Sequence, residues 1–248
     1  MSIKVSIFTK FSRVSALLLV FWALSSCDLI YDEGDWTGEQ RNIGDYQKVV
    51  LNSIANVYYH YSDTPAIKVY YYAKHLSDIT TNLENQRITI DNKFGGQWYT
   101  DLRLPEIHLY NNSVNYVDIK EAGAFFCKDT IQVNNFNFYM HGDVFEAKMM
   151  LDVNKAKVDV YNSVGLMEIS GVCNKLEMYN KGETQIDAID FKVKNAYIIQ
   201  QSVMDVSSWV SDSLYYRIIR NGNITVKGNP VHEGEILGNG ELILIEDE

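Results

Sequence analysis

Val158-Asp-Val-Tyr-Asn-Ser-Val-Gly165 is followed by Leu176-Glu-Met-Tyr-Asn-Lys-Gly182, Ala196-Tyr-Ile-Ile-Gln-Gln-Ser202, Leu214-Tyr-Tyr-Arg-Ile-Ile-Arg-Asn-Gly222 and Gly234-Glu-Ile-Leu-Gly-Asn-Gly240. The starts of these segments are roughly 18–20 residues apart, a period that marks stacked structural units. Within a segment apolar and polar residues alternate: Val158, Val160, Leu176, Met178, Ile198, Ile224 and Val226 against Asp159, Glu177, Thr225 and Lys227. Side chains on a strand point alternately to opposite faces, so each segment predicts one buried and one wet face. Second short strands follow at Leu166–Ile169, Gln185–Asp187, Met204–Val206 and Ile224–Val226. The connections are too short for crossover helices. Asn162, Asn180, Gly182, Asn221, Gly222, Asn223, Asn239 and Gly240 supply corner residues that tolerate left-handed backbone. Strand, corner and strand repeated every ~20 residues can stack coil upon coil, about 4.8 Å per coil. The expected class is all-β, a parallel β-helix-like β-solenoid, with a sandwich of regularly spaced hairpins as the competing arrangement.

Upstream of the coils the spacing is less regular. Gln47–Tyr61, Ala66–Ala73 and Gln86–Asp91 read as strands, Leu76–Leu83 as a helical turn, and Lys93–Leu104 as an irregular excursion. Ile107–Tyr110, Tyr116–Ile119, Ile131–Val133 and Phe136–Met140 open the coils. An irregular N-terminal β region is therefore expected to cap the solenoid, because an end coil must shield the core. At the other end, Glu246-Asp-Glu248 after the apolar Leu242–Ile245 is an acidic stop that disfavours end-to-end association.

The chain begins with Lys4, Lys10 and Arg13, an apolar run over Val14–Leu24, and then Ser25-Ser26-Cys27. The run is too short to span a membrane and has the build of a secretory signal peptide. Leu24-Ser25-Ser26-Cys27 resembles the lipobox of bacterial lipoproteins, which implies a lipidated Cys27 as the first mature residue. Acyl chains add about 0.8 kcal/mol per buried methylene, so two or three would hold the protein on a membrane. The expected organisation is a leader over 1–26, an acidic tether over 27–40 and one β-solenoid domain over 41–248. The tether, with Asp28, Asp32, Glu33, Asp35 and Glu39, also resembles surface-export signals of Bacteroidetes lipoproteins. An outer-membrane lipoprotein, on the surface or the periplasmic side, is the address these features predict.

The full chain carries 22 basic and 32 acidic residues. Three basic and no acidic residues leave with the leader, so the mature charge is −13, which argues against nucleic acid as a partner. Once Cys27 is assigned to lipid, Cys127 and Cys173 remain, either as buried core fillers or as a disulfide formed in an oxidising envelope.

Arg41-Asn-Ile-Gly-Asp-Tyr-Gln-Lys-Val-Val-Leu51 resembles the opening of the head GIN domain family, also called DUF2807 or putative auto-transporter adhesins. Ile186-Asp-Ala-Ile-Asp-Phe191 fits the family's Asp-Ala step, and Asn221-Gly-Asn-Ile-Thr-Val-Lys-Gly-Asn-Pro230 with Gly238-Asn-Gly240 fits its close. At the corners the family's Ser-Gly steps are replaced by Asn162-Ser-Val-Gly165, Asn180-Lys-Gly182 and Gln200-Gln-Ser202. The resemblance implies a right-handed β-helix-like fold on secreted or lipid-anchored proteins, and brings no catalytic or binding residues with it.

Chemistry-bearing motifs are sparse. His60, His75, His108, His141 and His232 form no His-x-His or His-Glu-x-x-His pattern and each reads as a surface or turn residue rather than a metal ligand. No nucleophile elbow or phosphate loop is present, and no cofactor is expected. Asp143/Glu146, Asp187/Asp190 and Asp205/Asp212 are the carboxylate pairs a polysaccharide-active or calcium-dependent β-helix could use. Asp187 and Asp190 have odd separation, which on one regular strand places them on opposite faces. Tyrosines crowd two early strands (Tyr58, Tyr59, Tyr61, Tyr70, Tyr71 and Tyr72), near Trp98 and Tyr99. Alternate members must point outward, so Tyr70, Tyr72, Trp98 and Tyr99 are the candidate contacts to a glycan or an envelope protein. The expected function is non-enzymatic: a lipid-anchored surface for adhesion or for glycan or protein binding.

Overall fold

A computed structural model of the chain describes residues 33–93, 103–142 and 144–246. The leader, Cys27, Trp98, Tyr99 and Asp143 lie outside these residues. The folded unit, Asp35–Glu248, is all-β. Its strands in chain order are β1 (Trp36–Arg41), β2 (Lys48–Leu51), β3 (Ala55–His60), β4 (Ala66–Tyr72), β5 (Ile79–Glu84), β6 (Arg87–Asn92), β7 (Glu106–Tyr110), β8 (Tyr116–Ile119) and β9 (Gly123–Cys127). They continue with β10 (Ile131–His141), β11 (Val144–Tyr161), β12 (Val164–Asn180), β13 (Glu183–Gln200), β14 (Val206–Ile218), β15 (Ile224–Lys227), β16 (Val231–Ile236) and β17 (Leu242–Ile245). Leu76–Asp78 is a single 3-10 turn.

The period in the sequence is the register of the ladders. Phe138 pairs with Val158, Val158 with Met178, and Met178 with Ile198, each in parallel and each offset by 20 residues. From β14 onward the coil shortens: Val206 pairs with Ile224 and Ile224 with Leu242, an offset of 18. The three longest strands, β11 to β13, run through the corners, so one strand contributes to more than one face of its coil. Where the sequence predicts pairs of short strands, the structure joins them.

Alternation fills the interior with one column of side chains per inward position. Ile88, Val49, Val117, Phe138, Val158, Met178 and Ile198 stack in register and are all buried. Complete burial of an aliphatic side chain contributes about 1.5–3 kcal/mol, so these columns dominate stability. The neighbouring column runs Ile119, Met140, Val160, Asn180, Gln200, Ile218. Asn180 and Gln200 are fully buried there, and their side-chain amides donate to the backbone carbonyls of Thr184 and Met204. They hold the corner from inside the coil.

Two positions show the unusual backbone on which the coils depend. Asn162 has φ 52°, left-handed and tolerable for Asn. Gly171 has φ 111°, and a Cβ there would lie 2.0 Å from the Leu151 carbonyl oxygen of the coil before it, so only glycine allows the coils to approach.

The N-terminal end departs from chain order. β2 and β3 lie between two coils: β6 and β7 on one side, β8 and β9 on the other. The outermost coil is thus the second in sequence. Its edges are closed by antiparallel strands, β5 on β6 and β4 on β7, with β1 added to β4. The helical turn expected over Leu76–Leu83 shrinks to three residues, and Ile79–Glu84 is strand because it completes the hairpin with β6. Residues 36–40 of the expected tether belong to the sheet, since Trp36–Arg41 pairs along β4.

Cys127 and Cys173 are free thiols, both buried. Burial pushes the Cys127 thiol up to about 12 and raises that of Cys173. The disulfide left open by the sequence does not form.

Candidate functional site: an aromatic and imidazole cleft at the capped end

The antiparallel cap creates an open recess that offers rings together with hydrogen-bonding groups. On the outer face of β3, alternation turns Tyr58 and His60 outward and buries Val57 and Tyr59. On β7 it turns out Glu106, His108 and Tyr110. On β4 it turns out Lys68, Tyr70 and Tyr72, with Tyr71 buried. Pairing then sets Tyr58 beside His108, His60 beside Tyr110, and Tyr70 beside Glu106.

The rings stack across the sheet. Phe126 to Tyr58 is 5.4 Å between centroids, Tyr58 to His108 4.8 Å, His108 to His60 5.1 Å and His60 to Tyr110 4.7 Å, all within 26° of parallel. Tyr70 meets His108 edge-on at 5.2 Å. Such offset or edge-to-face pairs add about 0.5–1.5 kcal/mol beyond their burial. His60 Nε2 and His108 Nδ1 share a hydrogen bond of 2.9 Å, one nitrogen donating according to tautomer. His108 Nε2 lies 3.7 Å from a Glu106 carboxylate oxygen, and Arg103 donates to the other oxygen.

The wall opposite is β1. Gly38 lies directly over the Tyr70 ring, where a Cβ would come within 2.5 Å of Cε1. Trp36 completes the wall, held by Tyr72 edge-on at 5.4 Å and by the Arg103 guanidinium 4.3 Å over its ring. The result is a cleft of about 600 Å³ bounded by Trp36, Gly38, His60, Tyr70, Glu106, His108 and Tyr110. That volume suits a small ligand, and apolar walls with a few convergent polar groups are the usual make-up of ligand pockets. Partial burial lowers both imidazole pKa values; for His60 the neighbouring His108, Lys128 and Lys68 add to the effect, and for His108 the two lysines add and Glu106 opposes.

Of the candidate contacts, Tyr70 lines the cleft. Tyr72 braces Trp36 from behind and packs against the core. His60, His108, Glu106 and Tyr110 join Tyr70 there, beyond the contacts the sequence pattern predicts. Alternation on strands expected at 47–61 and 107–110 signals their outward direction, but their meeting depends on a register offset of 50 residues that no local pattern encodes.

The carboxylate pairs resolve as follows. Asp187 and Asp190 do not face opposite sides: both line one shallow groove with Glu168 and Lys148. The register slips between Glu168 and Ser170, which pair with Asp187 and Asp190, and the extra residue in β13 resets the alternation. Lys148 Nζ bridges Glu146 at 3.1 Å and Glu168 at 3.3 Å. Asp187 accepts from the Ser207 hydroxyl, and Asp205 from the Asn223 backbone N–H at 2.7 Å, as corner ties. Among the described residues no group of three or more His, Cys, Asp or Glu could hold a metal ion, and no helix is long and apolar enough to cross a membrane.

Residues 45–230 match the family DUF2807, described as putative auto-transporter adhesin, head GIN domain. The chain belongs to this family. Among solved structures it resembles a putative adhesin from Bacteroides fragilis, with 17% identity, a TM-score of 0.79, and coverage of 85% of this chain and 97% of that one. It also resembles a putative adhesin from Parabacteroides merdae (15% identity, TM-score 0.60, 86% and 97% covered) and a putative lipid binding protein from Parabacteroides distasonis (17%, 0.59, 86% and 97%). At these identities the likeness is one of fold. No curated protein matches the chain. Membership of an adhesin-like family suggests a cell-envelope or surface protein.

Proposed function

We propose that this head GIN protein is anchored to the outer membrane by lipid on Cys27 and binds, without chemistry, a glycan or an envelope protein at the capped end of its solenoid. The observation that carries the reading is the cleft: Trp36, Tyr70 and Tyr110 offer ring surfaces while Glu106, His60 and His108 offer hydrogen-bonding groups to hydroxyls. Aromatic walls with a few convergent acceptors and donors suit a saccharide ring, whose faces are apolar and whose rim is polar. The leader and acidic tether in the sequence support the anchor.

Two measurements test it. Protease shaving of intact cells should remove the domain if it faces outward; full protection places it in the periplasm and removes the adhesin reading. On a glycan array the mature protein should show discrete hits that Tyr70→Ala weakens at least ten-fold, with Tyr215→Ala, a distant tyrosine, as the control. Hits that ignore Tyr70→Ala would move binding elsewhere on the molecule.

A second reading has one observation in its favour, the groove in which the β13 bulge brings Asp187 and Asp190 together. A polysaccharide-cleaving enzyme would use such carboxylates. Turnover of an acidic polysaccharide, lost in Asp187→Asn/Asp190→Asn, would establish it.

A further inference from the structure

The two ends of the solenoid are built differently. The N-terminal coil is covered by its own antiparallel strands, β4 on β7 and β5 on β6. At the other end, among the described residues, β16 pairs only with β14, and β17 only with β15. Every residue of β16 is exposed, and so are three of the four in β17. An edge strand leaves a row of backbone N–H and C=O groups without partners, and natural sheets normally blunt such edges. These edges carry no proline, no bulge and no lysine within β16 or β17. Instead they expose apolar side chains: Val231 (81% exposed), Ile236, Leu237, Ile243, Leu244 and Ile245.

Charge decides what can dock there. Glu233 and Glu235 project from β16, Glu241 and Glu246 flank β17, and of these Glu235 is tied to Arg217 at 2.7 Å. A second copy docked end to end would set this acidic rim against itself, and like charges directly opposite on paired strands are destabilising. A strand with basic residues would meet the same rim favourably while its apolar residues extend the interior columns that end at Ile236, Leu242 and Leu244.

We infer that the β16–β17 end is a docking edge for an extended segment of a partner protein in which apolar and basic residues alternate, added in register as the next rung. This is β-strand addition: main-chain hydrogen bonds give affinity, and side chains set specificity. It is independent of the cleft, which lies at the opposite end of the coil stack.

The test uses the mature protein and synthetic dodecapeptides in 150 mM salt. The probe alternates Val and Lys; one control has the same sequence with every second amide N-methylated, which keeps charge and removes ladder donors. The probe should bind one to one, and N-methylation should weaken it at least ten-fold. Glu233→Lys/Glu241→Lys should transfer the preference to an alternating Val/Glu peptide. Equal binding of probe and N-methylated control would overturn the proposal, leaving only charge attraction. Absence of probe binding would overturn it as well. Dimerisation of the protein alone with rising concentration, abolished by Ile243→Lys, would assign the edge to a second copy instead.

Discussion

Tyr46 shows how one side chain secures the cap. It is fully buried, and burial raises its pKa, so the phenol stays protonated and can donate. Its hydroxyl lies 3.3 Å from the Ala66 carbonyl oxygen and 3.1 Å from that of Tyr110, tying β4 to the end of β7, while Asn111 Nδ2 donates to the Tyr46 carbonyl at 2.7 Å. Tyr46→Phe keeps the ring and strands those carbonyls, at a cost of about 1–3 kcal/mol; urea denaturation should show a lower midpoint with an unchanged slope. The imidazole pair acts at the same scale. His60 and His108 have lowered pKa values when folded, against an ordinary value near 6.5. Below that pH the unfolded chain binds more protons than the folded one, so stability falls as pH falls from 6.5 through the lowered values. Lys68 and Lys128 reinforce the trend, and Glu106 and Asp129 oppose it. Thermal melts between pH 8 and 5 should show this loss, and His60→Phe/His108→Phe should flatten it.

Among elements, the position in the stack sets the worth of an apolar side chain. Ile198 of β13 is fully buried between Met178 and Tyr216. Leu244 of β17 sits above Val226 with its outer side open and is 45% exposed. Ile198→Ala should cost about 2–5 kcal/mol because it removes packed methyl groups from an interior that cannot collapse around the gap. Leu244→Ala should cost within about 0.5 kcal/mol, as surface changes do. Paired chemical denaturation curves decide between that contrast and equal costs. The same distinction explains what the sequence could tell. Val158, Met178 and Ile198 announce their columns because the register is the sequence period, and Asn162 announces its corner through backbone preference. The cap is silent for the converse reason: β6 and β7 slide outside β2 and β3, a choice of stacking order that leaves the alternation within each strand unchanged. Asp187 and Asp190 share a face against the expectation of strict alternation because one extra residue between them shifts the period by one, and a bulge has no compositional mark there. The cleft inherits both kinds of silence, since Tyr70 is legible as an outward tyrosine but Glu106, His108 and Tyr110 arrive from a strand 36 to 40 residues away.

For the whole molecule, stability should be graded along the axis. Each coil in the regular part contacts only the coils before and after it, so the fold behaves as a one-dimensional array of neighbour interactions. Among the described residues the stack is sealed at one end by β1, β4 and β5 and open at the other, where β16 and β17 each have one paired neighbour. Opening the terminal coil breaks one interface, whereas opening a central coil such as that of β12 breaks two, with β11 and with β13. Local opening free energies should therefore rise from near zero at β16 and β17 to the global value around β10 to β13, then stay high into the cap. Native-state hydrogen exchange reads this directly: amides of Val231–Ile236 and Leu242–Ile245 should exchange within the fastest strand class, and those of Val158–Val160 and Leu176–Met178 within the slowest. Uniform protection along all rungs would mean that the coils open together and that the neighbour-only description fails. If the basic strand of the inferred partner docks on β16 and β17, its addition should slow exchange there first and leave the central rungs unchanged, because it supplies to the last coil the second interface that every inner coil already has.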